Sequence, residues 1–397
     1  MAQNTDINDI RRQKRRDRLI KQLLIALFVV LAIVFIYANR DKWFHKLEGI
    51  GSKYEDVLDS DASFPISVST GVRYEMERCG DSIVVLGNTS FKVYSKNGKL
   101  TANFQHAYTT PVLETSSKRI LVYDNGGVKF RVDSETDEIY EKTMDENILL
   151  ARISNEGYAA VVTTSDMYVC MLYVYDDKGK NIYTRGCTNK ITDITFKGES
   201  EGCYATYVDV SGGVLMTAID YYDFSQDSQN SDSDYGVSSA TLALETVFFE
   251  NGGYAIVGDT VTVFYDSQNN VEKMYSYDDA LTAFLTDESG KVALLFENKD
   301  MRCSNLILMQ QGETTPVTLT LPQSCSAIDY CDGEIYTAAD GALVSYKFDG
   351  TLSKNIGTAD KCSDIVVNGD YIYLLTYDRI ERIDSLISSG GQQSEGS

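Results

Sequence analysis

Across 397 residues the chain carries 58 acidic and 36 basic side chains, a formal net charge of −22, and only 4 prolines. A surface this acidic repels phosphate backbones, which excludes nucleic acid as a partner, and it also repels anionic headgroups and teichoic acids. Low proline excludes a Pro-rich stalk, while 27 tyrosines and 29 glycines suit pleated strands joined by tight turns.

The first 22 residues run against the overall charge, with Arg11, Arg12, Lys14, Arg15, Arg16, Arg18 and Lys21 against three aspartates. An apolar segment follows, Leu23–Ala38, whose 16 residues span about 24 Å as a helix. Leu19 and Ile20 extend it, and Lys21 can snorkel toward the headgroups. This predicts one transmembrane helix with a cytoplasmic N-terminus, because Arg40, Lys42 and Lys46 on the far side are diluted by Asp41 and Glu48. Trp43 and Phe44 fall where an aromatic belt meets the outer interface. A cleaved signal peptide is disfavoured, since YANRDKW offers no small-x-small site, and no cysteine follows before Cys79 to form a lipobox. Residues 39–63 read as a juxtamembrane linker.

From Phe64 the same unit recurs: an apolar strand, a short polar turn, a second strand, then a hairpin of two more. The first half appears as RYEMERCGDSIVVLG, PVLETSSKRILVYD and CSDIVVNGDYIYLLT, the hairpin as FKVYSKNGKLTANF, LYVYDDKGKNIYTR and LVSYKFDGTLSKNI. Alternating apolar residues broken by Asn-Gly, Lys-Gly or Asp-Gly are hairpin signals. First-turn markers fall at Gly80, Ser117, Glu156, Glu201, Gly252, Gly290, Asp332 and Gly369, spaced 37 to 51 residues apart. That period fits a four-stranded β-propeller blade and predicts an all-β, eight-bladed propeller over residues 64–385, with seven blades as the alternative. The last unit supplies only three strands before the polar tail SSGGQQSEGS, residues 386–397, which reads as disordered. The missing edge strand is available at Phe64–Thr70. The longest interval, 51, is assigned to a polar insertion at Asp220–Gly236.

The VYD-x-x-G-K hairpin at Val174–Lys180 resembles the repeats of quinoprotein-type eight-bladed propellers, and the layout resembles uncharacterised single-pass propeller proteins of Gram-positive bacteria. The quinoprotein alcohol dehydrogenases carry blade-docking tryptophans and a vicinal cysteine pair. This chain has one tryptophan, at the membrane, and no Cys-Cys, so the resemblance implies no cofactor.

Chemistry is sparse. The eight cysteines, Cys79, Cys170, Cys187, Cys203, Cys303, Cys325, Cys331 and Cys362, sit mostly within strand patterns as small hydrophobes, which predicts mainly free, buried thiols with one or two bridges at most. Cys325 and Cys331 share one strand and cannot pair with each other. Catalysis by a histidine would depend on His106, between the first two blades, whose simpler role is a loop or blade-edge residue. Asn230, Asp232 and Asp234 have the spacing of calcium-loop ligands, but Tyr235 and Thr241 stand where glycine and glutamate are needed, so no metal site is expected. No catalytic or cofactor-binding residue is assigned.

The expected function is therefore a non-enzymatic, membrane-anchored binding or scaffolding module for an envelope protein, peptide or glycan. The alternative is an extracellular saccharide hydrolase or lyase. Acids and aromatics converging at the funnel would favour the enzyme; a funnel of small and apolar side chains would favour binding. The topology has a direct test. Protease added to intact protoplasts should remove the domain beyond Trp43 and spare a tag at residue 2; digestion of the tag with survival of the C-terminus would reverse the orientation.

Overall fold

The alternating segments fold into eight four-stranded antiparallel sheets in the computed structural model, which describes residues 64–198, 201–211, 213–225, 233–239, 241–298, 302–357 and 361–384. Thirty-two strands run β1 to β32 in chain order. Blades 1 to 7 occupy residues 75–105, 111–143, 148–187, 190–239, 243–276, 281–321 and 325–355, and each is a simple meander. Blade 8 has the order β1-β32-β31-β30. Every first-turn marker read from the sequence lies between the first and second strands of its blade, or abuts that turn. The expected eight blades are therefore the observed ones.

The first strand of each blade packs beside the first strand of a neighbouring blade, so these strands line the axis. They are β2 (Glu75–Cys79), β6 (Pro111–Thr115), β10 (Ile148–Ile153), β14 (Lys190–Lys197), β18 (Ala243–Phe248), β22 (Leu281–Asp287), β26 (Cys325–Cys331) and β30 (Asp364–Asn368).

Four second strands are buried at every position: β3 (Ser82–Leu86), β7 (Ile120–Asp124), β11 (Ala159–Thr163) and β19 (Tyr254–Gly258). Successive side chains on a strand point to opposite faces, so a fully buried run means that both faces of the sheet are covered. In blade 1, Ile83 and Val85 enter a cluster with Val366, Tyr373 and Ile380 of blade 8. Val84 and Leu86 enter another with Leu113, Ile120 and Val122 of blade 2. Eight such clusters each join two adjacent blades, one for every interface of the ring. The core is thus a circle of shared interfaces.

Turn chemistry sets the hairpins. In blade 3 the Asp176 N–H donates to Lys180 O and the Gly179 N–H to Asp176 O, while Asp176 Oδ1 accepts from Lys178 and Lys180 N–H. This loop needs a left-handed residue at its fourth position, and Gly98, Gly179, Asn269 and Gly350 supply it in four blades, with φ between 65° and 83°. Each loop is followed by a one-residue register shift.

Closure uses the N-terminal segment, as its sequence predicts. Strand β1 (Ile66–Ser67) pairs with β32 (Arg379–Asp384), Ile66 opposite Ile380, and the Val68 N–H donates to Asp378 O. The Phe64 ring lies 5.2 Å from that of Tyr373, which is fully buried. The observed strand is shorter than Phe64–Thr70. The chain enters at the end carrying the first-to-second and third-to-fourth strand turns, here called the entry end. The opposite, crossover end carries the second-to-third strand turns and the connections between blades.

The structure corrects three details. The Asp220–Gly236 insertion is not one loop, because Asp220–Asp223 finish β16 (Val214–Asp223) and Ser233–Ser239 form β17. Part of the 51-residue interval is a long hairpin, β15 (Gly202–Ser211) with β16, ten residues on each side. Cys362 precedes β30 instead of lying in it. All eight cysteines are free and seven are buried, so no bridge forms, although Cys170 and Cys187 face each other across β12 and β13. The apolar segment Leu23–Ala38, the linker 39–63 and the tail lie outside the described residues, as do Asn230 and Asp232.

Deleting residues 64–70 leaves β32 with an uncovered edge and removes the partly buried Phe64 and Ile66 from the seam cluster, worth about 2–3 kcal/mol together, below the full-burial value of roughly 1.5–3 kcal/mol per side chain. Chemical denaturation should show a transition lowered by that order and broadened. An unchanged transition would place this segment outside the cooperative unit.

Candidate functional site: the axial channel

The first strands bring charged side chains from several blades to one space. Glu75 and Glu77 come from β2, Glu114 from β6, Arg152 from β10, Asp193 from β14 and Glu245 from β18. The Glu114 carboxyl feels Arg152, Asp193, Glu245 and Glu75, so these groups share a field across five blades. Part of the channel is a recess of about 290 Å³ lined by Arg152, Asp193, Glu245, Thr246, Thr286 and Glu288 among others.

Most of these groups tie one blade to the next. Asp193 is buried; its Oδ1 accepts from Arg152 Nε at 3.0 Å and from the Ile194 N–H, and its Oδ2 accepts from the Thr246 N–H of blade 5 at 2.9 Å. Arg152 also pairs with Glu114 of blade 2, so one guanidinium joins three blades. Asp329 accepts from its own neighbour Tyr330 N–H and from Val367 N–H of blade 8 at 2.7 Å. Asp364 repeats the arrangement with Ile365 and with Met76 of blade 1 at 3.0 Å.

The remaining interfaces are tied by hydroxyls and carbonyls. Thr286 Oγ1 donates to Glu245 and Thr115 Oγ1 to Arg78 O, and the Cys325 N–H donates to Ser304 Oγ. Arg78 Nη1 donates to Tyr330 O and Val367 O. Every blade interface therefore has a polar tie. The channel wall is not the small, apolar lining a plain binding ring predicts. Its acids, however, are built into the ring, and among the described residues no set of exposed aromatics converges with them.

Burial dominates the electrostatics. It pushes the Glu77 carboxyl up to about 8, with repulsion from Glu114 and Glu75 adding and a hydrogen bond from Thr115 opposing. It pushes Glu114 up to about 7 against the pull of Arg152. Burial likewise raises Asp193 and Glu245. On Arg152 burial works against the charge, but Asp193 and Glu114 outweigh it and hold the guanidinium cationic.

His106 lies where the sequence places it, between blades 1 and 2, and it is buried. Its Nε2 sits 3.1 Å from Gly87 O and its Nδ1 accepts from the Tyr108 N–H, which assigns the proton to Nε2. Burial lowers its pKa. Among the described residues, no three His, Cys, Asp or Glu side chains are placed to hold a metal ion. The channel acids escaped sequence reading. Their signal is an aspartate inside an apolar first strand just before a β-former, in TDITF, AIDYC and SDIVV. A second recess, about 420 Å³ at the crossover end of the seam, is lined by Tyr74, Asn88, Thr89, Ser90, Lys92 and Tyr94 among others.

The chain belongs to a family of unknown function, DUF5711, whose pattern matches residues 57–384. No curated protein matches the sequence. Among solved structures it is similar to BamB from Moraxella catarrhalis, with a TM-score of 0.51 at 11% identity over 81% of this chain and 97% of that one. It is also similar to Sqt1 from Chaetomium thermophilum, with a TM-score of 0.53 at 10% identity over 77% and 93%. For apo AztD from Citrobacter koseri the TM-score is 0.52, at 11% identity over 77% and 91%. Identities this low establish the fold alone.

The raised carboxyls give a pH prediction. A carboxyl raised by folding stabilises the protein fully below its unfolded value and loses that contribution as pH climbs through its folded value. For Glu77 and Glu114 the window runs from 4.5 to about 8 and about 7. His106, lowered by folding, acts in the opposite sense, below its ordinary 6.5. The melting temperature should therefore fall between about pH 6.5 and pH 8.5, and Glu77→Gln should flatten the slope. A flat or rising profile in the parent protein would contradict the placement of these acids.

Proposed function

We propose that this chain is a non-enzymatic binding module, held outside the cytoplasmic membrane by its N-terminal helix, which recognises an envelope protein, a peptide or a glycan. The observation that carries the reading is the commitment of the polar groups. Asp193, Asp329 and Asp364 hold neighbouring backbones, Arg152 joins three blades, and both nitrogens of His106 face backbone groups. Side chains fixed this way stiffen a recognition surface and are poorly placed to exchange protons with a substrate. The basic flank before Leu23 supports the orientation, and the VYD-x-x-G-K hairpins support a quinoprotein-type repeat without its cofactor, in a Gram-positive envelope.

A saccharide hydrolase is the second reading, favoured by one feature: Glu77 and Glu114 are raised toward neutrality, as a general acid requires. One experiment separates the two. The full chain is crosslinked in intact membranes and recovered, and the same preparation is incubated with envelope polysaccharide. We expect a defined partner retained by the parent and lost on deleting residues 64–70, with no release of reducing ends. Saccharide cleavage abolished by Glu77→Gln would replace the binding reading with the enzymatic one.

A further inference from the structure

Exposed hydrophobic side chains are not spread evenly over the ring. Of the twelve large ones exposed among the described residues, nine stand at the crossover end, and eight of those belong to blades 3 to 5. Blade 3 contributes Met167, Tyr168 and Val169 from the turn before β12 (Cys170–Tyr175), with Met167 83% exposed. Blade 4 contributes Val210, Val214 and Leu215 from the β15–β16 hairpin, each more than half exposed. Leu242 and Leu244 follow at the start of blade 5. Large side chains scattered singly need no explanation, but a run across three consecutive blades at one end does.

The hairpin sharpens the point. The ladder from β14 to β15 ends at Lys190 opposite Val208, and that from β16 to β17 (Ser233–Ser239) begins at Thr217 opposite Ser239. Beyond them Asp209 pairs with Met216, Val210 with Leu215 and Ser211 with Val214, and in the described residues no strand covers either edge. About 10 Å of two-stranded ribbon thus projects past the ring with apolar side chains exposed. A bare, apolar ribbon of this kind is what soluble propellers avoid unless something covers it.

Charge selects the cover. Around this patch the exposed charges at the same end are Asp145, Asp166, Asp209 and Asp259 against Lys190, with Asp278, Asp279 and Glu297 beyond, against Arg302. An anionic lipid surface would meet these carboxylates and be repelled. A second copy would bring the same acidic rim against itself. The juxtamembrane segment of this chain, residues 39–63, is itself net acidic, with six carboxylates against four basic side chains, and the chain joins the ring at the entry end, opposite the patch.

We propose that the crossover end of blades 3 to 5, centred on the β15–β16 hairpin tip, docks a cationic protein segment that presents an apolar face. The inference rests on the binding-module reading and names both its surface and its partner class. The apolar tip supplies desolvation, and the carboxylate rim supplies orientation and speed of association.

The test uses the full chain in its own membranes, with a photoreactive benzoylphenylalanine at Leu215 or, as control on the entry end, at Leu352. The Leu215 probe is expected to give a defined adduct with another polypeptide whose crosslinked segment carries net positive charge. That adduct should fall about tenfold in the doubly reversed Asp166→Lys, Asp209→Lys variant, and again in 0.5 M salt, with the melting transition unchanged. An adduct with lipid, with a second copy or with residues 1–63 of the same chain would overturn the proposal, as would a protein adduct indifferent to charge reversal. A partner captured from Leu352 and not from Leu215 would sink the docking face and leave the binding module standing. Silence at both positions would sink both.

Discussion

Everything in this molecule depends on burying both faces of each four-stranded sheet. A five-residue strand such as Ser82–Leu86 has no solvent side, so it is unstable until blades stand on its left and right. Seven of the blades obtain four strands from contiguous chain, but the eighth is completed only by Ile66–Ser67, about 300 residues upstream of its neighbours. Closure is therefore a single long-range event on which eight apolar interfaces rely. The strands that meet there are short, and Phe64 against Tyr373 and Arg382 adds side-chain packing where only a few backbone hydrogen bonds form.

The acidic channel follows from the same constraint. Where the first strands converge they are too far apart to form a closed sheet with each other, so backbone N–H groups such as those of Thr246, Val367 and Met76 need acceptors. Aspartates of the preceding blade provide them. A carboxylate that accepts two or three N–H bonds is well satisfied, yet several placed around one axis repel each other, and Arg152 offsets only part of that. Burial first, with this repulsion adding to it, raises the carboxyls, and protonation relieves both. The channel can thus be acidic for structural reasons, without a ligand to explain it.

How much of this was legible in the chain varies by feature. Blade number, turn positions and the closing strand could be read because each rests on a local rule: a left-handed residue at Gly98 or Gly179, an apolar run between markers, a last unit one strand short. The channel acids were hidden. With 58 acidic residues in the chain, two in Glu75–Cys79, none in Ile148–Ile153 and one in each other first strand leave no periodic mark, and their heights differ: Asp329 stands three residues before its marker and Asp364 five. Bulges such as that between Ile191 and Asp193 shift the register further. The long hairpin is obscured in the sequence by the polar run after Asp223, although VDVSGGVLMTA places a Gly-Gly between two alternating segments.

The two ends of the ring therefore carry different burdens. At the entry end the turns are short, set by glycine or asparagine, and linked across blades, as when the Glu250 N–H donates to Glu288 O or Lys118 meets Glu156. Little variation is possible there without disturbing two interfaces at once. At the crossover end the second-to-third strand turn lies above its own blade, so lengthening it changes no interface. Blade 4 has done so with ten-residue strands, and that is also where exposed apolar side chains gather. A scaffold whose order resides in its ring leaves this end as the place where recognition can be built without loss of the fold.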